Sequence, residues 1–380
     1  MAPVALALAA EPQIEALVCV TAQHRQMLDQ VMRIFNLSAD IDLDLMRPGQ
    51  DLYDVTSRVL LGMRDVLTRE KPDLVLVHGD TTTCFAAALA AFYQGIPVGH
   101  VEAGLRTGNL LAPFPEEANR SLVGRIAKMH FAPTERACQN LLAENIGAEK
   151  IIVTGNTVID ALLIARDKVK TMPISAWHET IGSGLCEHIA QRDRVLERMG
   201  RFVLITGHRR ENFGQGFIDL CNAIRTLALA HPDWLLVYPV HLNPNVQKPV
   251  LDILSGLPNV HLIEPLEYLP FVWLMDQCDL ILTDSGGIQE EGPSLGKPVL
   301  VMREVTERPE AIDAGTVKLV GTDKQRIIDA VELLLSDEQA YRAMANATNP
   351  FGDGTAAQQI VSTIKQHFGL RDERKQEVLA

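Results

Sequence analysis

At 380 residues, 47% of them hydrophobic, the chain exceeds the length over which a single core keeps growing, so two domains are expected. A formal charge of −13 argues against a nucleic-acid backbone as partner, because phosphate chains are captured by clustered Lys and Arg; a small anion held at a local patch or a helix N-terminus stays open. Six scattered cysteines (Cys19, Cys84, Cys138, Cys186, Cys221, Cys278) without a CxxC pair are the usage of a reduced, cytoplasmic protein, with no disulfide framework and no zinc site.

The opening MAPVALALAAEP is apolar and alanine-rich, but it lacks a basic n-region and its apolar run is short for a secretory signal. No run of about 18 apolar residues follows anywhere, so no membrane span is expected. From there short apolar runs alternate with helical patterns to the end. ALVCVT, DLVLVH, PVGHVE, MHFAP and KIIVTG read as strands of a first half; FVLITG, WLLVYP, NVHLIE, DLILTD, PVLVM and VKLVG read as strands of a second. The runs are continuous instead of alternating, as parallel strands covered on both faces should be. With helical segments such as 118–128 and 325–335 between them, they predict an α/β protein of two doubly wound, Rossmann-like domains. The region about 165–200 is the least patterned and marks the junction. The expected division is 1–164, 165–353 and a last helical segment within 354–380.

In open α/β sheets, ligands bind beyond the carboxyl ends of the strands, and two such domains facing each other would enclose one cleft. Reactive groups accumulate at those ends. VHGDTTT carries His78 and Asp80, GHVEAGLRTG carries His100 and Glu102, and PFPEEANR adds Glu116 and Glu117 before a helix. LITGHRREN ends a strand with His208, Arg209 and Arg210, and VYPVHLNP offers His241. Each also has a structural reading: Asp80 as a helix N-cap, the two glutamates as complements to a helix dipole, a lone histidine as a satisfied structural residue. Their accumulation at one pole of the sheets favours chemistry. DLILTDSGGIQEEGPSLGKPVL reads strand, Ser-Gly-Gly turn, helix: Gly286 and Gly287 permit close backbone approach, the opening amides suit an anion, and Glu290 or Glu291 could accept from a ribose diol. GxGxxG, GxxxxGK[ST] and HExxH do not occur, so no nicotinamide, ATP-type P-loop, metal or other cofactor is expected.

VHGDTTT, GHVEAGLRTG, PEEANR, TGHRREN, YPVHLNP, LTDSGGIQEE and GKPVLVMREVTERPEA, in this order over nearly the whole chain, resemble the non-hydrolysing bacterial UDP-N-acetylglucosamine 2-epimerases. The resemblance implies a GT-B-type architecture whose last helix crosses back to the first domain. It also implies interconversion of UDP-N-acetylglucosamine and UDP-N-acetylmannosamine by elimination of UDP to a glycal and re-addition. Asp80, Glu102, Glu116 and His208 then match catalytic positions, the acids handling protons and His208 meeting the departing phosphate. Ser285, Gly286 and Gly287 match a diphosphate cradle, Glu291 a ribose contact, and Phe271 in EYLPF an apolar surface by the uracil. Gln23, His24 and Gln26 in TAQHRQ, with Arg58, Arg209 and His241, match the site of a second UDP-N-acetylglucosamine that acts as activator. A cytoplasmic homodimer serving cell-surface polysaccharide synthesis is the further implication, with no nucleic acid and no membrane as partner. A hydrolysing epimerase and a non-catalytic UDP-sugar sensor are the alternatives. Relatives begin with a strand and a GTRPE-type loop leading into MAP, whereas Met1 stands at that methionine here. The expectation is a first domain lacking its central strand, with reduced stability or activity.

Overall fold

The computed structural model describes residues 1–22, 25–47, 49–192 and 200–370. They divide into two compact units, one made of Met1–Ala161 with the chain from Phe351, the other of Leu162–Pro350.

The first unit contains strands β1 (Cys19–Val20), β2 (Ile41–Asp42), β3 (Val75–His78), β4 (Val98–Val101), β5 (Met129–Ala132) and β6 (Ile151–Val153). All pair in parallel, but in two sheets: β1 with β2, and β3-β4-β5-β6 in chain order. The one continuous sheet expected for this half is therefore split: among the described residues β1 and β2 pair with each other alone, over two residues. The larger sheet is covered on both faces, which is what continuous apolar strands require. One cover is helix Leu52–Glu70 with the alanine-rich helix Thr82–Tyr93, whose Val59, Met63, Ala87 and Ala91 pack with Val77 and Val98. The other is helix Ala2–Ala9 with helix Ala356–His367, where Val4, Ile360 and Ile364 pack with Val101, Met129 and Phe131.

The opening MAPVALALAAEP thus forms a core helix of this unit. The returning chain is tied down by backbone: Asn156 N–H donates to the Phe351 carbonyl at 2.7 Å, and Ala357 N–H donates to the Asp160 carboxylate at 2.8 Å. Gly155 and Gly352 cross so closely that a Cβ on Gly155 would lie 3.1 Å from the Gly352 Cα, and both have positive φ (+84° and +113°). Only glycine meets both demands cheaply.

The second unit holds β7 (Phe202–Thr206), β8 (Leu235–Pro239), β9 (Val260–Ile263), β10 (Leu280–Thr283), β11 (Val299–Val301) and β12 (Val317–Leu319). They form one parallel sheet in the order β12-β11-β10-β7-β8-β9. The chain winds outward one way from β7 and the other way from β10. The crevice beyond their carboxyl ends is the switch point at which such sheets take ligands. No helix among the described residues is long and apolar enough to cross a membrane.

Candidate active site

In the first unit the ends of β3 and β4 collect the predicted acids. Register brings His78 opposite Val101, so the turns after the two strands emerge side by side. Asp80 does not cap the helix that follows it. Thr81 does, its hydroxyl accepting from Cys84 N–H at 3.3 Å, which leaves the Asp80 carboxylate free to face Arg120 at 3.1 Å. Burial pushes the Asp80 carboxyl above its usual range; Arg120 pulls it back, and the negative charges of Glu102 and Glu116 push it up again. Three carboxylates therefore share one neighbourhood, and burial there makes Asp80 reluctant to ionise.

Glu102 sits at φ +62°, a backbone conformation rarely taken by a non-glycine residue. One carboxylate oxygen accepts from Asn156 Nδ2 at 3.2 Å and the other lies 3.8 Å from His78 Nε2. Below this, His100 is fully buried; burial pulls its pKa down to about 3, so the ring is neutral. The Gly79 carbonyl can only accept, so the 2.8 Å contact makes His100 Nε2 the donor and ties β4 to the turn that carries Asp80.

Glu116 and Glu117 open helix Glu116–Ile126 and separate in role. Glu116 is half-buried beside Asp80. Glu117 is buried and accepts from the Thr107 and Gly108 amides at 3.0 Å, clamping the GLRTG loop. Arg120 joins the two sets, with Nε 3.4 Å from Glu117 and its other end on Asp80.

In the second unit the residues after β7 and β10 meet at the switch point. Asp284, wholly buried, accepts the backbone N–H groups of His208 and Arg209, each at 2.8 Å. The His208 ring is partly exposed and stacks on His241 at 5.5 Å between centroids. Burial lowers its pKa, the Asp284 charge opposes that, and His241 and Arg209 lower it further. Ser285, Gly286 and Gly287 form the expected turn, with Arg209 so close that a Cβ on Gly286 would sit 3.5 Å from its guanidinium. The helix that follows, Ile288–Ser294, has only seven residues with Pro293 inside, so less dipole is available there than a long helix would bring.

The two adjacent glutamates again divide. Glu290 is buried and paired with Arg308. Glu291 accepts from the Tyr268 hydroxyl at 2.9 Å; burial raises its pKa to about 7, against the pull of that hydrogen bond. Phe271 lies one turn after Tyr268 on helix Tyr268–Gln277, on the same side.

Of the remaining predicted residues, Gln26 is exposed on helix Arg25–Ile34, and Arg58, on helix Leu52–Glu70, lies 3.8 Å from Asp54 and 3.4 Å from the Leu45 carbonyl. Gln23 and His24 lie outside the described residues.

The family model described as UDP-N-acetylglucosamine 2-epimerase matches residues 6–365. The chain belongs to that family. It is 57% identical to the UDP-N-acetylglucosamine 2-epimerase of Escherichia coli K12 over 367 residues, covering 97% of this chain and 95% of that one. Among solved structures, the Neisseria meningitidis UDP-GlcNAc 2-epimerase bound to UDP-GlcNAc matches with 52% identity and a TM-score of 0.80, covering 96% of each chain. The putative UDP-N-acetylglucosamine 2-epimerase of Listeria monocytogenes matches with 47% identity and a TM-score of 0.88, covering 98% of this chain and 94% of that one.

Four residues of this epimerase-family chain that bear on the site were not read from its sequence: Arg120, Asn156, Tyr268 and Asp284. Arg120 stands within the quoted PFPEEANR, and Asp284 within DLILTD; an i, i+3 pairing with Glu117 on one helix was the available signal for Arg120. Asn156 and Tyr268 act through partners 54 and 23 residues away, and no local pattern announces those.

Proposed function

We propose that this chain interconverts UDP-N-acetylglucosamine and UDP-N-acetylmannosamine by elimination and re-addition of UDP. The C2 proton of the sugar is not adjacent to a carbonyl, so direct deprotonation is out of reach near neutral pH. As the C1–O bond to UDP breaks, its electron pair leaves with the diphosphate, and a carboxylate takes the C2 proton while C1=C2 forms. Return protonates C2 from the opposite face as the diphosphate oxygen re-attacks C1. Two acid/base groups are needed, one ionised and one carrying a proton, and neither metal nor redox partner enters the balance. The single observation that carries this reading is the crowding of Asp80, Glu102 and Glu116. Burial raises the Asp80 carboxyl above its usual range, Arg120 draws it back, and the charges of Glu102 and Glu116 raise it again, so Asp80 is tuned toward holding a proton.

In this reading Asp80, Glu102 and Glu116 move protons in the first unit. The second unit holds UDP: the Ser285–Gly286–Gly287 turn and Arg209 take the diphosphate, His208 meets it as it departs, Glu291 takes the ribose diol, and Phe271 lies by the uracil. Backbone donors and one permanent cation, Arg209, suit a leaving group that must be retained for return. A second UDP-N-acetylglucosamine acts as activator through Gln23, His24, Gln26, Arg58, Arg209 and His241, and the working form is a homodimer. Both statements rest on family resemblance.

The test is proton NMR of UDP-N-acetylglucosamine with the protein in D₂O. Deuterium at C2 together with UDP-N-acetylmannosamine is expected. Free N-acetylmannosamine with UDP would replace the reading with a hydrolysing epimerase, and UDP binding without C2 exchange would replace it with a sensor.

A further inference from the structure

The Asp284 carboxylate makes two kinds of contact. Its Oδ2 is occupied by the His208 and Arg209 amides at 2.8 Å, with Asn212 Nδ2 at 3.4 Å. Its Oδ1 is buried, has no hydrogen-bond partner among the described residues, and lies 3.4 Å from Nδ1 of His208. A buried carboxylate oxygen left without a donor is costly, and the imidazole nitrogen beside it can carry the N–H that it lacks. The backbone around the pair is braced. Tyr238, also wholly buried, donates its hydroxyl to the Gly207 carbonyl at 3.0 Å, and Asn212 donates to the Met302 carbonyl at 3.0 Å. The His208 ring itself is partly exposed.

We propose that Asp284 is a positioning residue for His208: it accepts Nδ1–H, holds the ring in that tautomer, and leaves Nε2 as the nitrogen that takes up a proton and faces a diphosphate. The proton bound at Nε2 comes from solvent as the anion arrives, and it returns there when the anion leaves. Asp284 supplies the counter-charge to the imidazolium so formed. The other groups facing the ring are Arg209, which disfavours that charge, and the stacked His241. The same carboxylate thus fixes the backbone of the TGHRREN loop through one oxygen and the chemistry of its histidine through the other. This assignment rests on the reading of His208 as the group that meets departing UDP.

The experiment uses the full-length protein with ¹⁵N-labelled histidine, His208 being assigned by its loss in His208→Gln. At pH 8 the free wild-type protein should show Nδ1 protonated and Nε2 bare, and added UDP should protonate both. Asp284→Asn keeps an oxygen for the two amides but turns an NH₂ toward Nδ1, so His208 should switch to the Nε2–H tautomer and stay neutral with UDP. In the deuterium-exchange assay kcat of this variant should fall on the order of a hundredfold, with KM changed far less. An Nε2–H tautomer in the free wild-type protein overturns the proposal, whether or not the variant folds. So does an unchanged tautomer or an unchanged kcat in Asp284→Asn. If the wild-type protein shows the Nδ1–H form and yet exchanges no C2 deuterium, the epimerase reading fails while the Asp284–His208 assignment stands.

Discussion

Arg120 bears on the charge state of Asp80. Its guanidinium is nine-tenths buried, reaches Asp80 at 3.1 Å and Glu117 at 3.4 Å, and donates to the Glu116 carbonyl at 3.4 Å. A carboxylate that takes a proton from carbon must be ionised when the substrate arrives, and burial together with Glu102 and Glu116 works against that. Arg120 is the group on the other side of the balance. Removing it raises the Asp80 pKa further, so the ionised fraction at a given pH falls. Activity that is lost on acidification through Asp80 protonation is then lost at a higher pH. Arg120→Met should therefore move the acid limb of the kcat profile upward and lower kcat at pH 7 on the order of a hundredfold. Arg120→Lys keeps the charge but cannot bridge two carboxylates with one planar fork, and should fall between the two. Rates of C2 deuterium incorporation from pH 5 to 9, with circular dichroism to verify folding, check both. An acid limb that stays put in Arg120→Met would separate Asp80 from the proton transfer.

At the scale of elements, what the site needs is the path of the chain just after β4. Glu102 and Gly104 both have positive φ, and a Cβ on Gly104 would fall 2.3 Å from the Ala137 carbonyl oxygen in helix Glu135–Ala143. Asn140 of that helix donates to the Gly104 carbonyl at 2.9 Å, so the turn is pressed onto the helix and stitched there. Gly104→Ala meets both a backbone penalty and a clash with another main chain. A loss of more than about 2 kcal/mol is expected, read by urea unfolding, with deuterium incorporation falling because Glu102 is carried on the displaced turn. How legible such features are depends on their range. The strands from β3 onward and the acids at their ends were readable, because a doubly covered parallel strand must be continuously apolar and its polar terminus stands out. The short β2 was missed: ADIDLDL alternates charged and apolar residues over a pairing of only two positions. Contacts that define chemistry were the least legible. Arg120 on Asp80 and Asp284 beneath His208 are made across the fold, and their residue types fit helix faces and strand ends equally well. The division of labour between Glu290 and Glu291 is likewise a matter of which neighbour, Arg308 or Tyr268, each one meets.

At the scale of the whole molecule the two units differ in how the chain completes them. The second is contiguous, and its core gathers strands β7, β8 and β10 with helices Gln215–Ala230 and Lys324–Ser336. The first is not: one cover of its sheet depends on helix Ala356–His367, made after the entire second unit. Ile360 is fully buried in that cover, among residues that include Val4, Val101, Met129 and Phe131. Val101 is the last residue of β4 and the immediate neighbour of Glu102. A cavity at Ile360 should therefore be felt at Glu102 although the substitution lies some 260 residues along the chain from it, a separation read directly from the numbering. Ile360→Ala is expected to cost about 2–5 kcal/mol. The cost should be local to one unit, because among the described residues that cluster contains none from β7 or β10. Hydrogen–deuterium exchange should accelerate in Ala2–Ala9, in Ala356–His367 and in β4 and β5, while β7 and β10 exchange as in the wild-type chain. UDP binding should then persist as C2 deuterium incorporation falls. Equal acceleration of exchange in both units would mean that they unfold as one, and the separation of proton transfer from nucleotide binding would lose its structural basis.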